Sequence, residues 1–373
     1  MDRKGKSIYH LDTPTLLLDI DKLKENINEM AAFAKMQGIS LRPHIKTHKS
    51  IEIAKLQLEA GAVGVTTAKI GEAEVMAAGG MKDILIAYPI SSEMKMKRLI
   101  GLMEDGVDLK ISVDHVQQVE WLDAFFEQTS YTLQVWIKVN SGLNRCGVEP
   151  GDEVVQLARK VVNSASLKLG GIFTHAGHSY GAKSIEEIEQ IGLQEARMVV
   201  ESAEACEKEG IPIPVRSVGS TPTYKIAGQV KGITEVRPGN AAFFDAIQVG
   251  LGVTSFDKCA LTLLASVVGV YQGSRVVLDT GSKSLCLDKG AHGNQSVSGF
   301  GHVVGHPELT IERLSEEHGV AIVNGETSLS LNDKVLVIPN HACTVANQFE
   351  EYVVHQNGVV VDVWKVDARG KVQ

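Results

Sequence analysis

The chain has 373 residues, 22% charged and 44% hydrophobic, a globular composition with room for two domains. Lys and Arg number 37 against 45 Asp and Glu, so the formal charge is 37 − 45 = −8, which excludes a nucleic-acid binder that works through bulk positive charge. The opening residues hold no apolar run suited to a signal peptide or membrane span, and five scattered cysteines fit a reduced, cytoplasmic setting better than a disulfide framework.

The first element, "TPTLLLDI" from Thr13 to Ile20, reads as a strand that fits either of two units. From about residue 40 to 255 the pattern alternates between short apolar or β-branched runs and Ala-, Glu-, Lys- and Leu-rich stretches. "ISLRPHIKT", "GVTTAK", "DILIAYP", "DLKISV", "LQVWIKVN", "LKLGGIFTHAG", "PVRSVGS" and "EVRPGN" are the predicted strands. Ser50–Ala60, Gly71–Ala78, His115–Gln128, Asp152–Ser164 and Ile185–Glu209 carry apolar residues three and four apart and predict helices. Eight strand–helix units in about 220 residues predict an α/β fold, a (β/α)8 barrel of TIM type over 14–255. After about residue 256, "LTLLASVVGVY", "SRVVLDTG", "KVLVIPNHACTV" and "EYVVHQNGVVVDVWKV" are alternating strands between turns. They predict a β-rich domain over 256–373 together with 1–13. Gly281–Gly305 reads as loop and contains no G-x-G-x-x-G, so a Rossmann site has no support there.

Function in such a barrel collects at the C-terminal ends of its strands. In "SLRPHIKTHK", an extended strand puts His44 and Lys46 on one side. A lysine at the barrel mouth is partly desolvated, and its neutral amine is available for a Schiff base. The competing reading has Lys46 and Lys49 open a solvated helix. "VGST" (Gly219, Ser220, Thr221) and "RPGN" (Arg237, Gly239, Asn240) follow the last two strands. Small residues there free backbone N–H groups, and hydroxyls add donors, a combination that holds phosphate. In "THAGHSYG", His175, His178 and Tyr180 have either a metal or catalytic role or ordinary backbone-satisfied turn positions. Lys138 needs a partner if it is buried, and Arg145 is placed to lie over an anion. In "PNHAC", His341 and Cys343 at i and i+2 share one face of a strand and are close enough to hold one divalent metal. Two protein ligands leave positions open, and a thiolate favours zinc over magnesium or calcium. The plainer reading is a buried Cys beside a hydrogen-bonded His.

The ordered set of motifs, "RPHIKTHK", "GAVGVTTAKIGEAEVM", "THAGHSYG", "VGSTPT", "EVRPGN", "LDTGSKSLCLDKG", "LSEEHG" and "PNHAC", resembles the D-threonine aldolase and D-serine dehydratase group of fold-type III pyridoxal-phosphate enzymes. The resemblance runs from Leu11 to about Gly370, and the barrel is similar to that of alanine racemase, including the Lys138–Arg145 spacing. It implies Lys46 as the Schiff-base lysine with His44 packed beside the cofactor. Gly219, Ser220, Thr221, Gly239 and Asn240 would be at the cofactor phosphate and Arg145 near its phenolic oxygen. Tyr180 would be at the pyridine nitrogen, with Arg237 as the competitor. His341 and Cys343 would hold one divalent metal, zinc or manganese. The implied activity is a lyase on a small D-3-hydroxy amino acid, by retro-aldol cleavage to glycine and an aldehyde, with His178 or a metal-bound water as base. Its alternative is β-elimination from D-serine or D-3-hydroxyaspartate to a 2-keto acid and ammonia. A racemase or a non-catalytic cofactor-binding protein stands further off. The resemblance also implies a homodimer, the C-terminal domain of one subunit completing the barrel mouth of the other. Some aldolases of the group carry an acidic residue where Cys343 stands, and the thiolate leans towards the zinc-dependent dehydratases.

Overall fold

A computed structural model describes residues 3–271, 274–289 and 296–373. The first strand, β1 (Thr15–Asp19), leads into α1 (Ile20–Gln37). The Asp19 carboxylate accepts the Asp21 and Lys22 N–H groups, and Gly38 at φ 67 closes α1 in the left-handed conformation. The barrel strands follow: β2 (Ser40–Leu41), β3 (Val65–Thr67), β4 (Asp83–Pro89), β5 (Asp108–Val113), β6 (Leu133–Lys138), β7 (Leu167–Phe173), β8 (Arg216–Val218) and β9 (Glu235–Val236). All their pairings are parallel, in the order β2-β9-β8-β7-β6-β5-β4-β3. The remaining gap is bridged by the parallel pair His44↔Thr66 and by Val63 N–H on Leu41 O at 2.9 Å. The expected α/β barrel is therefore present. Outside it run α2 (Ile51–Glu59), α3 (Ile70–Ala78), α4 (Glu93–Glu104), α5 (Val116–Phe126), α6 (Asp152–Val162) and α7 (Ile185–Lys208). In α6 the buried face is Val154, Val155, Leu157, Ala158 and Val161, the three-and-four spacing that burial on one side requires.

The second unit is a nine-stranded mixed sheet: β10 (Leu261–Tyr271), β11 (Arg275–Leu278), β12 (His302–Val303), β13 (Leu309–Leu314), β14 (Gly319–Val323), β15 (Lys334–Ile338), β16 (Glu351–Gln356) and β17 (Val359–Lys365), joined by β1. β1 pairs antiparallel with β10 and parallel with β16, so "TLLLD" lies in this sheet and not in the barrel. It is buried on both faces, which is why alternation could not assign it. The Gly281–Gly305 stretch, expected as loop, includes the short helix Ser282–Leu285 and β12; its residues 290–295 lie outside the described set. Among the described residues no helix is long and apolar enough to cross a membrane.

Two local expectations fail. Lys46 is not on a strand: β2 stops at Leu41, Pro43 follows, and Ile45–Thr47 form a 3-10 turn whose N-cap His44 accepts the Lys46 N–H at 3.3 Å. Nor is the H-x-C segment a strand. β15 ends at Ile338, Pro339 has no N–H to continue the ladder, and His341 is the N-cap of the helix Ala342–Ala346.

Candidate active site

The ends of the barrel strands and the Ala342 helix enclose a cavity of about 430 Å³. Lys46, His44, Arg145, Tyr180, Gly219, Ser220, Thr221, Arg237, Gly239, Asn240, His341 and Cys343 all line it. These residues span some 300 positions of sequence and come from both units of one chain. His341 and Cys343 reach the mouth of their own barrel, and Cys343 Sγ lies 3.2 Å from Thr47 Oγ1, next to Lys46.

His178 is the exception. It does not border the cavity but packs against Gly142 at the base of the Arg145 loop, where a Cβ would sit 3.3 Å from its ring, and its buried Nδ1 has no partner. His175 lines the cavity in its place, its Nδ1 donating to Gly219 O at 3.2 Å. The two histidines stand three apart, and sequence spacing could not choose between them. Lys49, Lys69, Glu72, Lys138 and Lys371 also border the cavity. Lys49 forms a buried ion pair at 3.1 Å with Glu72, which the sequence left unremarked. Expected at a helix start, Lys49 instead sits at φ 52 two residues before α2, and His48 is fully buried against Gln57 at 3.3 Å.

Each predicted phosphate turn is built differently from the expectation. Gly219 has φ +124, and its N–H donates to the buried carboxylate of Glu195 at 2.7 Å, so it contributes through its conformation and not through that amide. Ser220 Oγ lies 3.0 Å from both Ser179 Oγ and Thr223 Oγ1. Thr221 Oγ1 accepts the Ala241 N–H at 3.0 Å, tying the turn after β8 to the turn after β9. A Cβ on Gly239 would meet His44 O and Thr47 Oγ1 at 3.1 Å, so glycine here lets the second turn reach the Lys46 segment. Asn240 opens a 3-10 turn whose first N–H groups have no partner within the turn. The Asn140 side chain folds the Arg145 loop, its Oδ1 accepting Gly142 N–H at 3.2 Å and Asn144 N–H at 3.1 Å. Tyr180 is hydrogen-bonded to Thr221, whereas Arg237 donates to Thr174 O and Ser217 Oγ in the barrel. Tyr180 is thus at the turn after β8 and Arg237 at the ends of β7 and β8.

Burial lowers the Lys46 pKa; Cys343 and Glu72 act against it and Arg145 with it. Burial and the Lys46 charge hold His44 and His175 well below the ordinary imidazole value, so both are neutral. Burial opposes ionisation of Cys343, yet the charge and hydrogen bond of His341, with Lys46 and Thr47, bring its thiol below the usual value. Burial would likewise lower His341, but Cys343 and the Asp288 carboxylate, 2.6 Å from its Nδ1, raise it well above.

These donors fit the two groups the resemblance implies. A thiolate-prone Cys and an imidazole in hydrogen-bond contact make a two-donor seat for a soft divalent cation, with Asp288 fixing the ring from behind. No group of three His, Cys, Asp or Glu side chains suited to a metal occurs among the described residues; a cation held by His341 and Cys343 alone would keep coordination positions open. For a phosphorylated aldehyde the cavity offers a desolvated amine and, beside it, two linked turns with hydroxyl and N–H donors. Asn240 Oδ1 is buried there without a partner.

The family model described as alanine racemase, N-terminal domain, matches residues 18–246, and that of the serine dehydratase domain matches residues 260–355. The chain belongs to the D-threonine aldolase and D-serine dehydratase group of fold-type III pyridoxal-phosphate enzymes. Within that group it is 33% identical to the D-threo-3-hydroxyaspartate dehydratase of Delftia sp. (strain HT23), over 96% of this chain and 98% of that protein. The D-threonine aldolase of Filomicrobium marinum superposes with a TM-score of 0.92 at 30% identity, covering 100% of both chains. A mutant of a D-threo-3-hydroxyaspartate dehydratase in the metal-free form superposes at 0.90 with 32% identity, over 96% of this chain and 98% of that one. Both reactions named by these relatives are lyase reactions of D-hydroxy amino acids.

Proposed function

We propose that this protein is a pyridoxal-phosphate- and metal-dependent lyase that removes water from a D-3-hydroxy amino acid, releasing a 2-keto acid and ammonia. The observation that carries the elimination over the retro-aldol reading is the placement of His178 outside the cavity that holds Lys46, His341 and Cys343. β-Elimination needs a base at Cα and an acid at the leaving hydroxyl. Lys46, with its pKa lowered by burial, is the Cα base. His341 and Cys343, which line the same cavity, would hold the cation, whose Lewis acidity would serve the leaving hydroxyl. Retro-aldol cleavage needs a base on the hydroxyl proton, and of the two candidates expected for it, His178 lies outside the cavity, which leaves a metal-bound water. When bound, pyridoxal phosphate supplies the electron sink and the cation supplies Lewis acidity.

Lys46 would tether the cofactor at rest, the turns at Gly219–Thr221 and Gly239–Asn240 would hold its phosphate, and Arg145 would face its phenolic oxygen. Tyr180, at the turn after β8, is then the weaker candidate for the pyridine nitrogen and Arg237 the stronger. The cavity border carries Lys69, Lys138 and Lys371 in addition, which favours a substrate with a second carboxylate, D-3-hydroxyaspartate, over D-serine. The second reading, retro-aldol cleavage, is favoured by His175: neutral, inside the cavity, with Nδ1 committed to Gly219, it leaves one ring nitrogen to accept a proton. Incubation with D-threo-3-hydroxyaspartate decides. Oxaloacetate and ammonia are expected; glycine and glyoxylate would overturn the dehydratase reading in favour of the aldolase. A homodimer is also proposed from the resemblance, checked by sedimentation.

A further inference from the structure

Asp245 is fully buried between the two units, directly after the second phosphate turn. Its Oδ2 accepts the Asn240 side-chain N–H at 2.5 Å and the Ala342 backbone N–H at 2.9 Å, and Oδ1 accepts the Gln248 N–H at 3.1 Å. One carboxylate oxygen therefore joins a residue of the cofactor turn to the residue between His341 and Cys343. The segments around it run together as well: Ala246 N–H donates to Pro339 O at 3.1 Å and Ile247 N–H to Asn340 O at 3.2 Å. Asn240 Nδ2 is also 3.9 Å from Cys343 Sγ. A carboxylate is required, because three N–H donors converge on it and an amide would turn an NH2 group against one of them.

We infer that Asp245 is a positioning residue that couples cofactor binding to metal binding, so that each group orders the seat of the other. The inference rests on the assignment of Asn240 to the cofactor and of His341 and Cys343 to the metal. A cofactor held at Gly239 and Asn240 fixes the Asn240 amide, Asn240 fixes Asp245, and Asp245 holds the Ala342 N–H and with it the spacing of the two metal donors. Ordering done by the first group need not be repeated by the second, and the linkage is reciprocal.

The test is a calorimetric titration of zinc into chelator-treated protein, with and without bound pyridoxal phosphate, in wild type and Asp245→Asn. In the wild type the cofactor is expected to tighten zinc binding about tenfold, within the usual range of coupling between sites. In Asp245→Asn the ratio should fall to about one, whatever happens to either affinity alone. A purely structural role would weaken both affinities and leave their ratio intact. If Asp245→Asn fails to fold by circular dichroism, Asn240→Ala, which deletes the side-chain donor and keeps the backbone N–H, is expected to lose the coupling in the same way. A wild-type ratio near one, or a ratio unchanged in the variants, overturns the inference and leaves the lyase reading standing. Failure to bind either group overturns the site assignment and the inference with it.

Discussion

Lys138 is the residue at which stability and function most directly oppose each other. It ends β6, is 6% exposed, and makes no ion pair among the described residues; its Nζ lies 5.9 Å from the Phe173 ring centroid. Burial first, then the charge of Arg145, lowers its pKa from 10.5 to about 8. At about 1.4 kcal/mol per unit, keeping Lys138 charged in the cofactor-free fold costs about 3 kcal/mol. The unfolded chain binds the extra proton between these two values, so the penalty is complete below pH 8 and disappears as pH rises to 10.5. Replacement by methionine keeps the length of the side chain and removes the charge. Urea unfolding of cofactor-free wild type and Lys138→Met at pH 7 should show the variant more stable by about 2–3 kcal/mol, with the gap closing by pH 10.5. A gap that does not change with pH, or a variant less stable at pH 7, would refute the reasoning. With an anionic ligand bound in the cavity that Lys138 borders, the gap should narrow or reverse.

The same physics gives sharper tests elsewhere. Arg42, 5% exposed, pairs with the buried Glu235 at 2.9 Å and with Asp83, which keeps Lys110 at 2.6 Å, so Arg42→Ala strands the Glu235 carboxylate and should cost about 3–5 kcal/mol in urea unfolding. His178→Ala should keep kcat within about threefold, since a displaced general base would cost 100-fold or more; such a loss would return the base role to His178 and with it the aldolase reading. His341→Ala and Cys343→Ser should each lose bound zinc by atomic absorption while Lys46 still retains the cofactor chromophore, whereas Lys46→Ala should lose the chromophore and keep the metal seat. Zinc retained at full stoichiometry by both single variants would show that the donors lie elsewhere.

How much of this was legible in the sequence depends on the range of the contact concerned. The barrel could be read because each strand and helix buries its own face: Ile185–Lys208 and Asp152–Val162 begin at the expected residues and end within two of the expected ends. α1 and α4 were missed although the first carries its own markers, Asp19 at the N-cap and Gly38 at φ 67. The local geometry of the site was misread for one reason, proline. Pro43 and Pro339 each end a strand just before the chemical residues, so Lys46 and Cys343 are placed by a 3-10 turn and a helix start, not by strand alternation. The predicted residues other than His178 still line one cavity, because motif order does not depend on which way a side chain points.

What the sequence could not offer were the residues that act through another segment's backbone. Glu195, in the middle of α7, accepts the Gly219 N–H; Asp245 accepts the Ala342 N–H from 97 residues away. Neither has a motif, because the partner is an amide that every residue possesses. Burial is the signal that marks them. Both carboxylates are fully buried, and burial raises the pKa of each, to about 7 for Glu195, against the pull of the hydrogen bonds they accept. An acidic side chain that bears desolvation without a paired cation must be repaid in N–H and O–H donors, and here the donors belong to Gly219 and Thr223 for Glu195 and to Asn240, Ala342 and Gln248 for Asp245. The two carboxylates therefore act on the two halves of the site: Glu195 holds the turn after β8, and Asp245 ties the turn after β9 to the His341–Cys343 segment. Substituting either should disturb binding of groups it never touches, and that effect at a distance separates such residues from the ligands themselves.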